Sequence, residues 1–133
     1  MTLFIQEIEK TQVVNIKLEP LRKRGFGNFT EWSSQPNAIY IGRGNPHLNI
    51  PASKWANPFK LSDYDRSECL EKYENYIRSH NLYDHLEELL GCEMGCWCKP
   101  QDCHGDILKK LLLEKLENEV FYIIYILTLL FDF

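Results

Sequence analysis

Positive charge is in short supply: 15 Lys and Arg stand against 19 Asp and Glu, a formal net charge of -4. With no broad basic field, extensive nucleic-acid binding is not expected, although a local basic site fits this balance. Long apolar runs are missing too. Residues 120–131 form a run of twelve bracketed by Glu117, Glu119 and Asp132, whereas a membrane-spanning helix needs about 20, so membrane anchoring is not expected. The opening Met1-Thr2-Leu3-Phe4-Ile5-Gln6-Glu7 lacks the basic stretch and apolar core of a secretory signal, which leads us to expect a cytoplasmic location. No repeat or low-complexity tract is visible, which argues against solenoid and fibrous designs. What is present suits a packed core: 133 residues, 44% hydrophobic and 13% aromatic, a size for one domain. In a reducing compartment the five cysteines read as metal ligands, redox groups, nucleophiles or core filler rather than as disulfides.

Residues 11–17, rich in β-branched side chains and closed by Pro20, predict a strand. Residues 21–37 read as a surface linker whose only notable apolar groups are Phe26, Phe29 and Trp32. Residues 38–42 predict a second strand, and the Asn-, Pro- and Gly-rich stretch to Leu61 is a loop long enough to carry function. Asp65 followed by Glu68 marks a helix start, with Leu70, Tyr73, Tyr76 and Ile77 at helical spacing to about Ser79. A second helix is expected from Leu82, stopped by Gly91, and a third strand over 92–98. Asp102 is the expected cap of a last helix that buries Ile107, Leu108, Leu111, Leu112 and Leu116. The organisation is thus an N-terminal extension (1–10), an α/β domain (11–116) and an apolar C-terminal tail (117–133).

Strands separated by helices favour a small, mostly parallel sheet of three or four strands with flanking helices, a Rossmann-like fragment. Ligands in such sheets sit beyond the carboxyl ends of the strands. Residues 42–59 and 99–106 both follow strands and are expected to meet at that edge.

The densest chemical signal is Cys96-Trp97-Cys98-Lys99-Pro100-Gln101-Asp102-Cys103-His104-Gly105-Asp106. Alternation along a strand points Cys96 and Cys98 to one side and Trp97 to the other. With Cys103 and His104 they make a chemically sensible zinc set, although common structural sites space their cysteine pairs more widely. Alternatively, Cys103 in the first turn of a helix gains thiolate character from the unpaired amides, with His104 beside it as base. The third reading is plain burial, cysteine being among the most buried residue types; it is the preferred one for Cys69 and Cys92. Gly42-Arg43-Gly44 adds a flexible backbone and a planar cation suited to phosphate, and Asn57-Pro58-Phe59 a turn. By itself each is also what an ordinary turn looks like. Their convergence on a helix start, a natural anion site, favours function.

These residues together resemble the DUF4326 family, an uncharacterised group from bacteria, phages and large DNA viruses. The resemblance rests on residues 13–16, Ile39-Tyr40-Ile41-Gly42-Arg43, Asn57-Pro58-Phe59, the helix from Arg66, and above all the Cys-Trp-Cys-x-Pro-x-x-Cys-His-Gly-Asp block. It spans about residues 11–112 and implies Gly42, Arg43, Asn57, Pro58, Phe59, Cys96, Trp97, Cys98, Pro100, Cys103, His104, Gly105 and Asp106 as the family pattern. The usual Gly before Asn-Pro-Phe is Ala56 here, the connection over 18–37 is longer, and the tail lies outside the pattern. A viral source would make the location the host cytoplasm.

The expected function is binding of a phosphorylated, nucleotide-like small molecule through Gly42, Arg43, Asn57 and Gly105. Should it do chemistry, Cys103 or Asp106 is the reactive group, His104 the proton shuttle and Arg43 the anion clamp. The alternative is a module stabilised by zinc on Cys96, Cys98, Cys103 and His104 that binds a protein or nucleic acid through residues 17–24. The tail is apolar at every period. Its β-branched start favours a strand and residues 127–130 tolerate a helix; a homodimer through this segment is expected.

Overall fold

The computed structural model describes residues 2–131. Three short strands, β1 (Gln12–Asn15), β2 (Ala38–Tyr40) and β3 (Glu93–Cys96), form a parallel sheet in the order β1-β3-β2. The last strand in the chain is therefore the central one, with Val14 opposite Gly95 on one side and Tyr40 opposite Gly95 on the other. Parallel strands need crossovers, and crossovers place helices on the faces of the sheet. The chain forms one small α/β domain of this kind.

On one face lie α4 (Arg66–Ser79), a 3₁₀ segment (Asn81–Leu89) and α5 (His104–Phe131). Met94 and Cys96 of β3 pack there against Tyr73, Ile77, Leu86, Leu89, Leu108, Leu111 and Leu112. The sequence stripe on α5 is buried as expected, with Ile107 at its margin. Asp65 caps α4 by accepting the Glu68 N–H at 2.8 Å. The helix expected from Leu82 is instead the 3₁₀ segment, which ends at Leu89; Gly91 follows, with a φ of 78° that suits glycine. α1 (Thr2–Lys10) lays Phe4 and Ile8 on the same core. Thr11 ties it down, donating to the Glu7 carbonyl at 2.8 Å and accepting the Gly91 N–H at 2.7 Å.

The other face corrects the linker reading of residues 21–37. That stretch, with Leu18 to Pro20 before it, folds as α2 (Leu18–Lys23) and α3 (Phe29–Ser33), and Leu21 and Trp32 are fully buried with Ile16. Pro20 falls in the first turn, where its missing N–H costs no helical bond. Asn28 caps α3 by accepting the Glu31 N–H at 3.0 Å. Helices this short gain little from propensity and hold because Trp32 docks on the sheet. A Cβ at Gly95 would stand 2.3 Å from Trp32 Cη2, so the central strand carries a glycine where the ring lies down. The indole Nε1 donates to Glu93 at 2.9 Å, and Arg24 pairs with the same carboxylate at 2.7 Å.

α5 continues as helix through residue 131, not as the strand that the β-branched start of the tail favours. A lone strand leaves backbone groups unpaired, whereas a helix extended from a packed one satisfies them within itself. Among the described residues Leu116 is the last buried one; from Val120 on the apolar side chains are mostly exposed.

Candidate functional site

A cavity of about 510 Å³ opens beyond the carboxyl ends of β2 and β3, within the usual size range of small-molecule sites. The two loops singled out in the sequence meet there. Gly42, Arg43, Asn57, Cys96, Cys98, Cys103 and His104 all line it, joined by Trp97, Phe59 and Arg66. Gly105 and Asp106 stand behind the wall. A Cβ on Gly105 would come within 2.9 Å of Ile41 and Val13, so glycine there lets the start of α5 press onto the sheet.

The cap of α5 is Cys103, one residue beyond the expected Asp102. Its Sγ accepts the Gly105 N–H at 3.2 Å, and Asp106 returns the favour by accepting the Cys103 N–H at 3.0 Å. This is a capping box with sulfur in the place of a hydroxyl. Asp106 also holds Lys99 at 2.6 Å, so its carboxylate is engaged in structure on both oxygens. Asp102 contributes only its carbonyl, which accepts Arg66 Nη1 at 2.8 Å.

Three thiols meet at this helix start. Cys103 hydrogen-bonds to Cys96 and to Cys98, which lowers Cys98 to about 6 and Cys96 to about 7; Arg66 and Lys17 further favour the Cys98 thiolate. Cys103 is pushed up by its interactions with Cys96 and Cys98 and by burial. His104 Nε2 lies 2.6 Å from the Ile41 carbonyl, which can only accept, so the proton sits on Nε2 and Nδ1 keeps its lone pair. That lone pair faces Cys103 Sγ at 3.8 Å. Burial lowers the His104 pKa and favours the neutral ring, packed edge-on to Tyr73 at 5.0 Å. Among the described residues, no group of three or more His, Cys, Asp and Glu side chains is arranged to hold a metal ion.

Residues 27–114, about two thirds of the chain, match the family described as Domain of unknown function (DUF4326). The chain belongs to the DUF4326 family. An uncharacterized protein of Acanthamoeba polyphaga mimivirus is 40% identical over a match covering 58% of this chain and 69% of its own length. The uncharacterized 12.4 kDa protein of the nrdA-td intergenic region of Enterobacteria phage T4 is 54% identical over 28 residues, 21% of this chain and 26% of that protein. No solved structure matches.

Within this DUF4326 domain, Arg43 is less free than the sequence suggests. Its Nε donates to the Asn57 carbonyl at 2.9 Å and its Nη2 to the Phe59 carbonyl at 3.0 Å, fastening the Asn-Pro-Phe turn. Asn57 Oδ1 accepts the Phe59 N–H at 2.9 Å, a turn held by its own side chain. Tyr40 closes the opposite side: its hydroxyl donates to the Arg43 carbonyl at 2.5 Å and accepts Trp97 Nε1 at 2.9 Å. A Cβ on Gly42 would stand 2.3 Å from that hydroxyl, so the glycine here is dictated by Tyr40 rather than by a ligand.

Sequence reasoning missed Arg66. It sits at the first position of α4, the positive end of the dipole, where a cation is disfavoured unless something else holds it. Its partners are the Asp102 carbonyl and, at 2.6 Å, Gln101 Oε1. The misplaced charge was the available signal. One consequence is testable: alkylation by iodoacetamide should have a component that rises through about pH 6 to 7, well below the ordinary thiol near 8.5, and Cys98→Ser should remove its lower part. A rise only above pH 8 would show that the thiols titrate independently.

Proposed function

We propose that the cavity binds a phosphorylated, nucleotide-like small molecule. The observation that carries this reading is the convergence on one cavity, at the carboxyl edge of the sheet, of two arginines (Arg43, Arg66) and two aromatic residues (Trp97, Phe59). Arginine forks suit phosphate, and aromatic rings suit a base. Hydrogen bonds to Asn57 and Phe59 leave Arg43 donor capacity on Nη1. Any chemistry would fall to Cys103, with neutral His104 as proton acceptor; Asp106 acts through the cap. A cytoplasmic location accords with this reading, and no helix among the described residues is long and apolar enough to cross a membrane.

A nucleoside triphosphate or sulfate should raise the melting temperature by mass action, and Arg43→Ala or Arg66→Ala should abolish the rise. An unchanged ligand response in both variants would overturn the assignment. A second reading, which rests on the sequence pattern alone, is the zinc-stabilised interaction module with zinc on Cys96, Cys98, Cys103 and His104. The Ile41 carbonyl holds the proton on His104 Nε2 and leaves the Nδ1 lone pair that a ligand would need. About one zinc per chain in untreated protein, lost together with helicity on chelation, would establish it.

The exposed apolar end of α5 carries a separate proposal, self-association. Val120, Phe121, Tyr122, Ile123, Ile124, Tyr125, Leu127, Leu129 and Leu130 are between 38% and 71% exposed. A run of exposed apolar side chains of this kind marks an association surface, and we propose that a second copy supplies the matching apolar helix.

A further inference from the structure

We propose that the ligand of this cavity is a ribonucleoside monophosphate, its single phosphate met by Arg43 and Arg66 and its ribose hydroxyls received by the Asp102 carboxylate. The inference rests on the phosphate reading above and narrows it by charge and by hydrogen-bond chemistry.

The charged lining limits how many phosphates the cavity takes. Among the described residues, the Lys, Arg, Asp and Glu side chains that line it are Arg43, Arg66 and Asp102. Lys99, in the adjoining loop, is spent on Asp106 at 2.6 Å, and Lys54 on Glu88 at the same distance. A phosphate monoester carries about −1.5 to −2 charges at neutral pH, which two arginines match. A longer phosphate chain adds negative charge with no further cation to meet it and with Asp102 to repel it. The arginines also have donors to spare. A guanidinium has five N–H groups, and each of these two spends only two of them on the protein, Arg43 on the Asn57 and Phe59 carbonyls and Arg66 on the Asp102 carbonyl and Gln101. Those bonds hold both forks in place before a ligand arrives, so little side-chain freedom is lost on binding.

Asp102 selects the sugar. Its carbonyl accepts Arg66 at 2.8 Å, while its exposed carboxylate forms no hydrogen bond or ion pair among the described residues. An ionised carboxylate has two oxygens that only accept. Ribose offers it two neighbouring hydroxyl donors, deoxyribose one. The base is left to the two rings, and both are held: Trp97 Nε1 donates to the Tyr40 hydroxyl at 2.9 Å, and Phe59 stands edge-on to Tyr64 and Tyr76, each at 6.2 Å.

Isothermal titration calorimetry on the full chain tests this with AMP, CMP, GMP and UMP, then with the deoxyribose and triphosphate forms of whichever binds most tightly. The monophosphate should bind about tenfold more tightly than the triphosphate, for want of a cation, and about tenfold more tightly than its deoxyribose form, for want of one hydrogen bond to a charged group. Asp102→Asn keeps the carbonyl that Arg66 uses. It should weaken the ribonucleoside monophosphate, remove the preference for ribose and bring the triphosphate closer to the monophosphate, whereas a side chain with a purely structural role would weaken all three alike. A triphosphate or a deoxyribose form that binds the wild type as tightly as the ribonucleoside monophosphate, or unchanged discrimination in Asp102→Asn, would overturn the proposal and leave the phosphate reading standing. No binding of any nucleotide would overturn both.

Discussion

Ending the chain at Glu117 is expected to halve its mass in solution, from two copies to one, while leaving the α/β domain folded. The cut is placed by the packing: among the described residues Leu116 is the last buried one, at 7% exposed, and none beyond it belongs to either core cluster. The helix that would be lost is apolar from Val120 on, apart from Thr128. Over residues 118–131 it projects about 21 Å at about 1.5 Å per residue, and its exposed aromatic and aliphatic groups are surface that a partner removes from water. Light scattering on the full chain and the truncation, without detergent, measures the change, and circular dichroism confirms that the shortened chain keeps its helices. A full chain that stays monomeric at high micromolar concentration would reject the dimer.

Trp32→Ala is expected to have the largest effect of any single side chain on the α2/α3 face. Truncating a buried Trp costs about 3–5 kcal/mol, against a total stability of about 5–15 kcal/mol for an ordinary domain. Trp32 is fully buried, lies on Gly95, and donates to Glu93; its loss removes the reason for α2 and α3 to cover the sheet. Urea unfolding should show a lower midpoint. Gly95→Ala attacks the same contact from the strand, since its Cβ would stand 2.3 Å from the ring, at a cost of about 1–3 kcal/mol. In the Trp32→Ala background that cost should shrink, because the ring it collides with is gone; Ile16, 2.9 Å from the same position, sets the remainder. Full additivity of the two changes would mean that the ring and Gly95 are not coupled.

The apolar period on α5, the Asp65 cap and the β-branched run at β1 are local signals, and each produced the element it predicts. Residues 21–37 show where local signals fail. Their glycines, serines and charges satisfy every rule for a loop, and the short helices there hold because one tryptophan finds a glycine on a strand more than sixty residues away. The same distance hid Arg66, whose partners at 101 and 102 are its neighbours only once α4 and the start of α5 lie side by side.

The sequence by itself determined the fold class, the family, and the two loops that meet at the cavity. Strand and helix periods, caps and a dense motif are written in consecutive residues. Only the tertiary structure decided what those residues do to one another. Arg43 spends hydrogen bonds on the Asn57 and Phe59 carbonyls, Asp106 holds a cap and a lysine, and Cys103 caps α5. A side chain's free donors and charge depend on which groups the fold brings within about 3 Å of it, and sequence spacing sets that distance only for near neighbours along a helix, strand or turn.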